Sequence, residues 1–375
     1  MRDYRDWIVE TALPLWADAG FDRDPGRFCE RLDPTARPIA GPHRSMVQAR
    51  QIYVFAHAAE LGWFDGGAQA ERAMASLIRD YCTDSGDRAS FAFSIHPDGR
   101  VASDVRDAYA HAFALFALAW VYRLNGDPQL LALADKVIRF VDAELTDPVQ
   151  GGLFDALPLA TRDKRQNPHM HLLEAYLFLA QAAPGRGYLE RAGALVRLFG
   201  TRMIRGDILP EYFEADWAPL ADAARAGIWE PGHHFEWVWL LTEYGRLSGE
   251  TVAPWIAALD ASARAAGFAA NGLIHDEVDA DRTVVKPSHR IWPHTEAIKA
   301  AVARGDRALA RRMADALRDH FLDRPFAGGW IDQIGADHAP LVGYVPASSL
   351  YHLFLAAAEA SPFVEDRLAT ADQGH

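Results

Sequence analysis

Arg50, His111, His171, His233, His294 and His352 stand at near-constant separation along the chain, with steps of 61, 60, 62, 61 and 58 residues. A period of that length is too long for one helix and suits a helix pair with two connections, so six units use about the whole chain. If six such units close into a ring, all six residues face one axis. Five imidazoles and a guanidinium around one cavity point to proton transfer on a small polar ligand, because imidazole titrates near neutral pH.

The apolar pattern is helical with little β periodicity. Helices are expected near 3–19, 43–62, 66–82, 106–124, 128–145, 168–183, 187–204, 233–248, 251–267, 291–304, 306–322 and 347–360. Three even-numbered members of this set run into a glycine, in AELGW at 59–63, RLNGD at 123–127 and RLSGE at 246–250. A glycine there fits a left-handed C-cap followed directly by the next helix, which makes the two helices antiparallel neighbours. The connections into the even-numbered helices are long and carry apolar stretches broken by Gly, Pro or Asp, as in 93–107, 151–168, 271–290 and 328–340. Each reads as a small hairpin or ordered loop, and long loops in compact domains are often functional. Alternating short and long links put every long loop at one end.

Even-numbered segments such as HAFALFALAWVY and HHFEWVWLLTEYG are apolar nearly all round, as helices buried on both sides must be, whereas ALARRMADALRDHF at 308–321 keeps a charged face. The expected fold is therefore an all-α (α/α)6 barrel, a toroid of twelve helices with long loops or small hairpins at one end, forming one domain over 1–375. An open helical solenoid fits less well, since it would spread the polar set along a surface.

Half of the residues are hydrophobic, enough for a large core. The formal charge of -13 argues against a nucleic-acid surface. The N-terminal MRDYRDWIVETALPLW mixes acidic with apolar residues and has no signal-peptide core. The longest apolar run, Ala112 to Tyr122, is too short to span a bilayer. A cytoplasmic protein with no membrane partner is expected. Cys29 and Cys82 lie outside any CxxC spacing and read as packing residues.

RSMVQARQIYVFAHAAELGW at 44–63, DAYAHAFALFALA at 107–119, NPHMHLLEAYLFLA at 167–180, PGHHFEWVWLL at 231–241, RIWPHTEAIKA at 290–300 and PASSLYHLFLA at 346–356 follow one another at the repeat spacing. In that order they resemble the motif set of the N-acylglucosamine 2-epimerase family, nearest its mannose isomerase branch, with a looser similarity to sulfoquinovose isomerases. The resemblance implies an (α/α)6 barrel and a cofactor-independent aldose-ketose isomerase or 2-epimerase acting on a monosaccharide through a cis-enediol, without metal.

The resemblance makes His233 and His352 the proton-transfer pair. Glu236, one helical turn from His233, is expected to orient that imidazole and raise its basicity. Arg50 is expected to face the sugar's carbonyl end, since a guanidinium offers paired donors and keeps its charge. By the same resemblance Asn167 and His171 contact hydroxyls and the ring oxygen. Asn167 and Pro168 also read as a helix N-cap and first helical residue. Trp292 and Glu296, spaced i, i+4, are expected to cover the sugar's C–H face and accept its hydroxyls, with Tyr109 a weaker candidate. His294 departs from the family pattern, where WPQ precedes the spacing to Glu, so His111 and His294 read as pocket lining or structural. His234 reads as packing.

The expected reaction is D-mannose to D-fructose, with D-lyxose as a further substrate. A 2-epimerase on the same scaffold shares every motif and differs in where the proton returns. An inverting glycoside hydrolase needs two carboxylates about 6.5–9.5 Å apart, for which Asp107 and Glu236 can be tried, but it leaves the histidines unexplained. A metal-dependent or non-catalytic binding protein is a third alternative, and no HExxH-like motif completes a metal site in sequence. Phosphorylated mannose stays open, as does the oligomeric state, a homodimer included.

Overall fold

The computed structural model describes residues 1–222 and 224–371, with side chains through residue 363. Twelve helices follow one another among them. α1 runs over Arg2–Trp7, a π turn at Ile8–Ala12, and Leu13–Asp18. The rest are α2 Ser45–Glu60, α3 Gly67–Tyr81, α4 Ala108–Asn125, α5 Pro128–Phe140, α6 Gln166–Ala182, α7 Tyr188–Leu198, α8 Pro231–Ser248, α9 Ala253–Ala266, α10 Trp292–Ala303, α11 Arg307–His320 and α12 Leu350–Ala371. Every expected helix is present. π turns at Val141–Leu145 and Phe199–Met203 carry α5 and α7 to their expected ends, while α12 runs on past its own to Ala371.

The even-numbered helices form the inner ring, each packed on the next, with α12 returning to α2. α4 shows why: its residues from Ala110 through Val121 are buried without a break, so it has no solvent face. Outer α11 buries a stripe of Leu309, Ala310, Met313, Ala314 and Leu317 and exposes its arginines. The glycine signals act as expected. Gly126 and Gly249 close α4 and α8 at φ 71° and 75°, a conformation that glycine adopts without steric cost.

α1 seals the ring against α12. The Tyr4 hydroxyl donates to the Leu353 carbonyl at 2.6 Å, Trp7 Nε1 donates to Asp323 at 2.8 Å, and Trp16 stacks on Trp330 with ring centroids 5.5 Å apart.

The long loops are stitched to one another as well as to themselves. Short antiparallel pairs join 43–44 to 94–95, 106–107 to 156–157, 164–165 to 212–213, 289–290 to 333–334, and 345–346 back to 31–32. A bridge between Trp229 and Val278 fills the remaining step of the circuit. Hairpins within one loop, such as 94–95 with 101–103 and 277–278 with 284–286, sit on this frame. The chain converges on the axis as it enters each inner helix, so the nearest partner for its backbone groups is the neighbouring loop, and those groups must be satisfied.

The 60-residue beat merges three structural positions: a brace, a residue two positions further on, and, in His233, the residue just before the brace His234. His111 Nε2 accepts from Phe91 N at 3.1 Å while its Nδ1 donates to the Asp107 carbonyl at 2.7 Å. His169 does the same with Leu153 and Arg165, and His294 with Ile274 and Arg290. His234 accepts from Leu209 N. In the first unit Gln48 takes this place, pairing with both N and O of Phe28. These residues tie a loop to its helix. Two positions further on, Arg50, Phe113, His171, Glu236 and Glu296 turn to the axis. The expectation that all six repeat residues face one axis thus fails at His111 and His294. Burial lowers them to about 4 and about 3, so both are neutral braces.

Because Gln48 performs this role, His294→Gln should keep stability within about 1 kcal/mol. His294→Leu, which orphans the buried Ile274 N–H, should lose about 1–3 kcal/mol in denaturant titration. Equal losses for both would show that the brace is not what holds this loop.

Candidate active site

The first turns of the inner helices surround a cavity of about 260 Å³ at the loop end of the barrel. Eight residues singled out in the sequence line it: Arg50, Tyr109, Asn167, His171, His233, Glu236, Trp292 and His352. Glu230, Arg290, Asp332, Ser348 and Ser349 join them. Glu296 does not line it; it sits behind His352, fully buried.

His233 lies in the first turn of α8, directly after Pro231 and Gly232. A Cβ on Gly232 would meet the Trp292 ring at 2.6 Å, so glycine lets that indole lie against the start of α8. Trp292 stands between the two candidate catalytic imidazoles, its ring centroid 4.8 Å from that of His233 and 5.6 Å from that of His352.

His233 Nδ1 is 2.8 Å from Glu211 and 3.7 Å from Glu230. Burial alone would lower its pKa, but the two carboxylates outweigh burial and raise it to about 9. Glu230 is itself held by Arg290 at 2.6 Å, which also bonds Asp276 at 3.0 Å. Asn167 Nδ2 lies 3.2 Å from His233 Nε2, and Asn167 Oδ1 has no partner. A charged imidazole donates from both nitrogens, which favours the amide turned with Oδ1 towards Nε2 and Nδ2 free for a ligand. Asn167 is the second residue of α6 and caps nothing, contrary to the N-cap expectation, because the helix already starts at Gln166 after Arg165.

His352 has the opposite surroundings. Its Nδ1 lies 2.7 Å from Glu296 Oε1, whose other oxygen is 2.6 Å from Lys299. Burial, then the charges of Arg50 and Lys299, hold His352 well below the usual imidazole range. One pocket thus holds two imidazoles whose surroundings push their pKa values in opposite directions.

Arg50 donates to the Ser348 carbonyl at 3.1 Å and to the Tyr109 hydroxyl, and it lies over the rings of Phe113 and Tyr351 at 4.3 and 4.9 Å. Its buried Nε has no partner. His171 Nδ1 is 3.0 Å from Glu174, which also accepts from the Tyr351 hydroxyl. Burial lowers His171 to about 4 against the pull of Glu174.

Glu236 does not orient His233. His233 sits at the helix entrance and turns Nδ1 to the loop carrying Glu211, while Glu236, one turn deeper, is 3.9 Å from His171 Nε2 with neither carboxylate oxygen hydrogen-bonded. Burial, with Glu296 nearby, raises its pKa well above the carboxylate range. Asp107, tried as a hydrolase carboxylate, is absent from the cavity lining and caps α4 through Ala110 N at 2.8 Å.

Three buried groups among the described residues bring ligand atoms within 4.8 Å of one another: His171, Glu174 and Glu236; Glu211, Glu230 and His233; and Glu236, Glu296 and His352. Spatial proximity therefore supplies donor sets that no linear motif announces. No helix of the described residues is long and apolar enough to cross a membrane.

The sequence pattern defining the N-acylglucosamine 2-epimerase (GlcNAc 2-epimerase) family matches residues 26–356. The chain is 32% identical to a mannose-6-phosphate isomerase of Rhizobium meliloti (strain 1021), over 94% of either chain. It is 29% identical to a D-mannose isomerase of Thermobifida fusca, over 93% of this chain and 94% of that one. The solved cellobiose 2-epimerase of Spirochaeta thermophila superposes with a TM-score of 0.85 at 26% identity, covering 98% of this chain and 97% of that one. The chain belongs to the N-acylglucosamine 2-epimerase family, as a sugar isomerase or epimerase.

Proposed function

We propose that the protein interconverts D-mannose and D-fructose, with D-lyxose as a further substrate, by proton transfer between His352, His233 and an open-chain sugar. The reading rests on one observation above the rest: two imidazoles flank Trp292 in one pocket, one set against two carboxylates and the other against a carboxylate paired with a lysine. A base and an acid are both needed, each already in its working form near neutral pH.

Once the ring opens, His352 takes the C2 proton through Nε2. The C–H electron pair becomes the C1=C2 bond, the carbonyl pair moves onto O1, and O1 takes a proton from His233. Arg50 and the Asn167 amide steady the oxygens of the cis-enediol, where charge develops. Return of the O2 proton to His233 and of the His352 proton to C1 gives the ketose. Trp292 covers the carbon face, and His171, neutral and beside Glu236, serves the ring oxygen during opening.

The carbon that receives the returning proton separates isomerase from epimerase, and one experiment tests both this and the choice of sugar. Mannose, glucose, fructose, lyxose and mannose 6-phosphate are incubated separately in deuterated water with chelator and followed by NMR. Fructose from mannose with deuterium incorporation is expected. Glucose ahead of fructose would favour a 2-epimerase. Turnover of mannose 6-phosphate alone would move the substrate to the phosphorylated sugar, as in the name of the Rhizobium relative. Activity lost only with chelator would bring one of the three buried donor sets into the reaction.

A further inference from the structure

Lys299 is fully buried behind the pocket. Its Nζ lies 2.6 Å from Glu296 Oε2 and 4.1 Å from the centroid of the Trp239 ring. Glu174 and Glu236 share the same interior, so three carboxylates face one ammonium. They are not equivalent. Glu174 is satisfied by His171 and by the Tyr351 hydroxyl, whereas Glu236 has no hydrogen-bond partner at either oxygen. Glu296 alone links the ammonium on one side to an imidazole of the pocket on the other.

A carboxylate buried beside two others takes up a proton unless a cation compensates it. Burial pushes Glu296 in that direction and leaves its pKa raised on balance, with Lys299 the strongest pull against it. The state of Glu296 in turn decides which nitrogen of His352 carries hydrogen. An ionised Glu296 can only accept, so His352 must hold its hydrogen on Nδ1 and present a lone pair at Nε2. A protonated Glu296 donates to Nδ1, and the hydrogen of neutral His352 then sits on Nε2, where it blocks the base.

We propose that Lys299 is a positioning residue that keeps Glu296 ionised and thereby fixes His352 in the tautomer whose Nε2 can accept the C2 proton. This rests on the reading of His352 as the base. The same arrangement leaves Glu236 as the carboxyl that retains a proton, a neutral hydrogen-bond donor at the pocket floor. The charged and titratable groups around His352 are Glu296, Glu236, Arg50, Lys299, His171 and Glu174. Of these Lys299 is the one that reaches His352 through a carboxylate it contacts.

Lys299→Met removes the charge at similar volume. It should lower kcat by about 10²–10⁴-fold, the weight of a positioned base, with the upper end matching the loss of about 10⁴ known for a catalytic imidazole held in the wrong tautomer, and KM changed by only a few-fold. Lys299→Arg should rescue most of the rate. Histidine ¹⁵N spectra of the wild type should show His352 protonated at Nδ1 and bare at Nε2 from about pH 6 to 8, assigned by its loss in His352→Ala; the Met variant should show the reverse. Wild-type kcat together with an unchanged tautomer in the Met variant would overturn the proposal. If the Met variant does not fold, the wild-type spectrum decides: hydrogen on Nε2, or titration near the ordinary imidazole value of about 6.5, overturns it. A wild type that turns over no sugar while showing the expected tautomer would sink the reading of the reaction and leave the role of Lys299 standing.

Discussion

His352→Ala and His233→Ala are each expected to cost about 10²–10⁴-fold in kcat/KM, the usual weight of a positioned acid or base. The two losses should differ in kind. His352 is the neutral partner, so its removal should end deuterium exchange at C2 along with turnover. His233 supplies a proton to oxygen, so its removal should slow ketose formation more than it slows exchange. Circular dichroism serves as the control for folding, since both imidazoles are buried. Wild-type turnover in either variant would take that residue out of the mechanism.

Glu211→Gln should move the alkaline limb of the pH–rate profile to lower pH. His233 acts protonated, and its pKa of about 9 means that the wild-type rate holds through neutrality and falls above about pH 9. Glutamine can still accept from Nδ1 but removes the closer of the two negative charges at 2.8 and 3.7 Å. Burial then pulls the pKa down against Glu230 alone. A displacement of about one to two units is expected, each unit being about 1.4 kcal/mol. At about pH 8 the variant should therefore lose about two- to tenfold relative to its rate at about pH 6. A limb that stays in place would mean another group sets it.

The helices were legible because their signals are local. A 3.6-residue apolar period and a glycine in the left-handed conformation need only neighbours in sequence, and α4 and α8 end where those signals put them. The pocket residues on helix entrances were legible too, since Arg50, His233, Trp292 and His352 sit inside recognisable motifs. Much of what escaped was carried by loops. Glu211 reaches His233 across 22 residues of mostly irregular chain, and no periodicity marks it. Glu230 and Arg290 stand just before the helices bearing His233 and Trp292; Glu230 borders the motif at 231–241 and Arg290 opens the one at 290–300. Glu174, three residues after His171 on one helix, was open to the i, i+3 argument that was instead applied to Glu236. His111 and His294 misled because a brace and a pocket residue can be the same amino acid two positions apart.

The backbone ladders that run from loop to loop around the mouth have a consequence for altering specificity. Transplanting one whole loop from a relative severs hydrogen bonds on both flanks, so the graft disturbs three segments at once. Tolerated variation should gather at the hairpin tips, such as 279–283, and in the side chains of the helix entrances, while the stems stay fixed. Selection for a longer or shorter sugar has the most freedom there, where a change leaves the girdle intact.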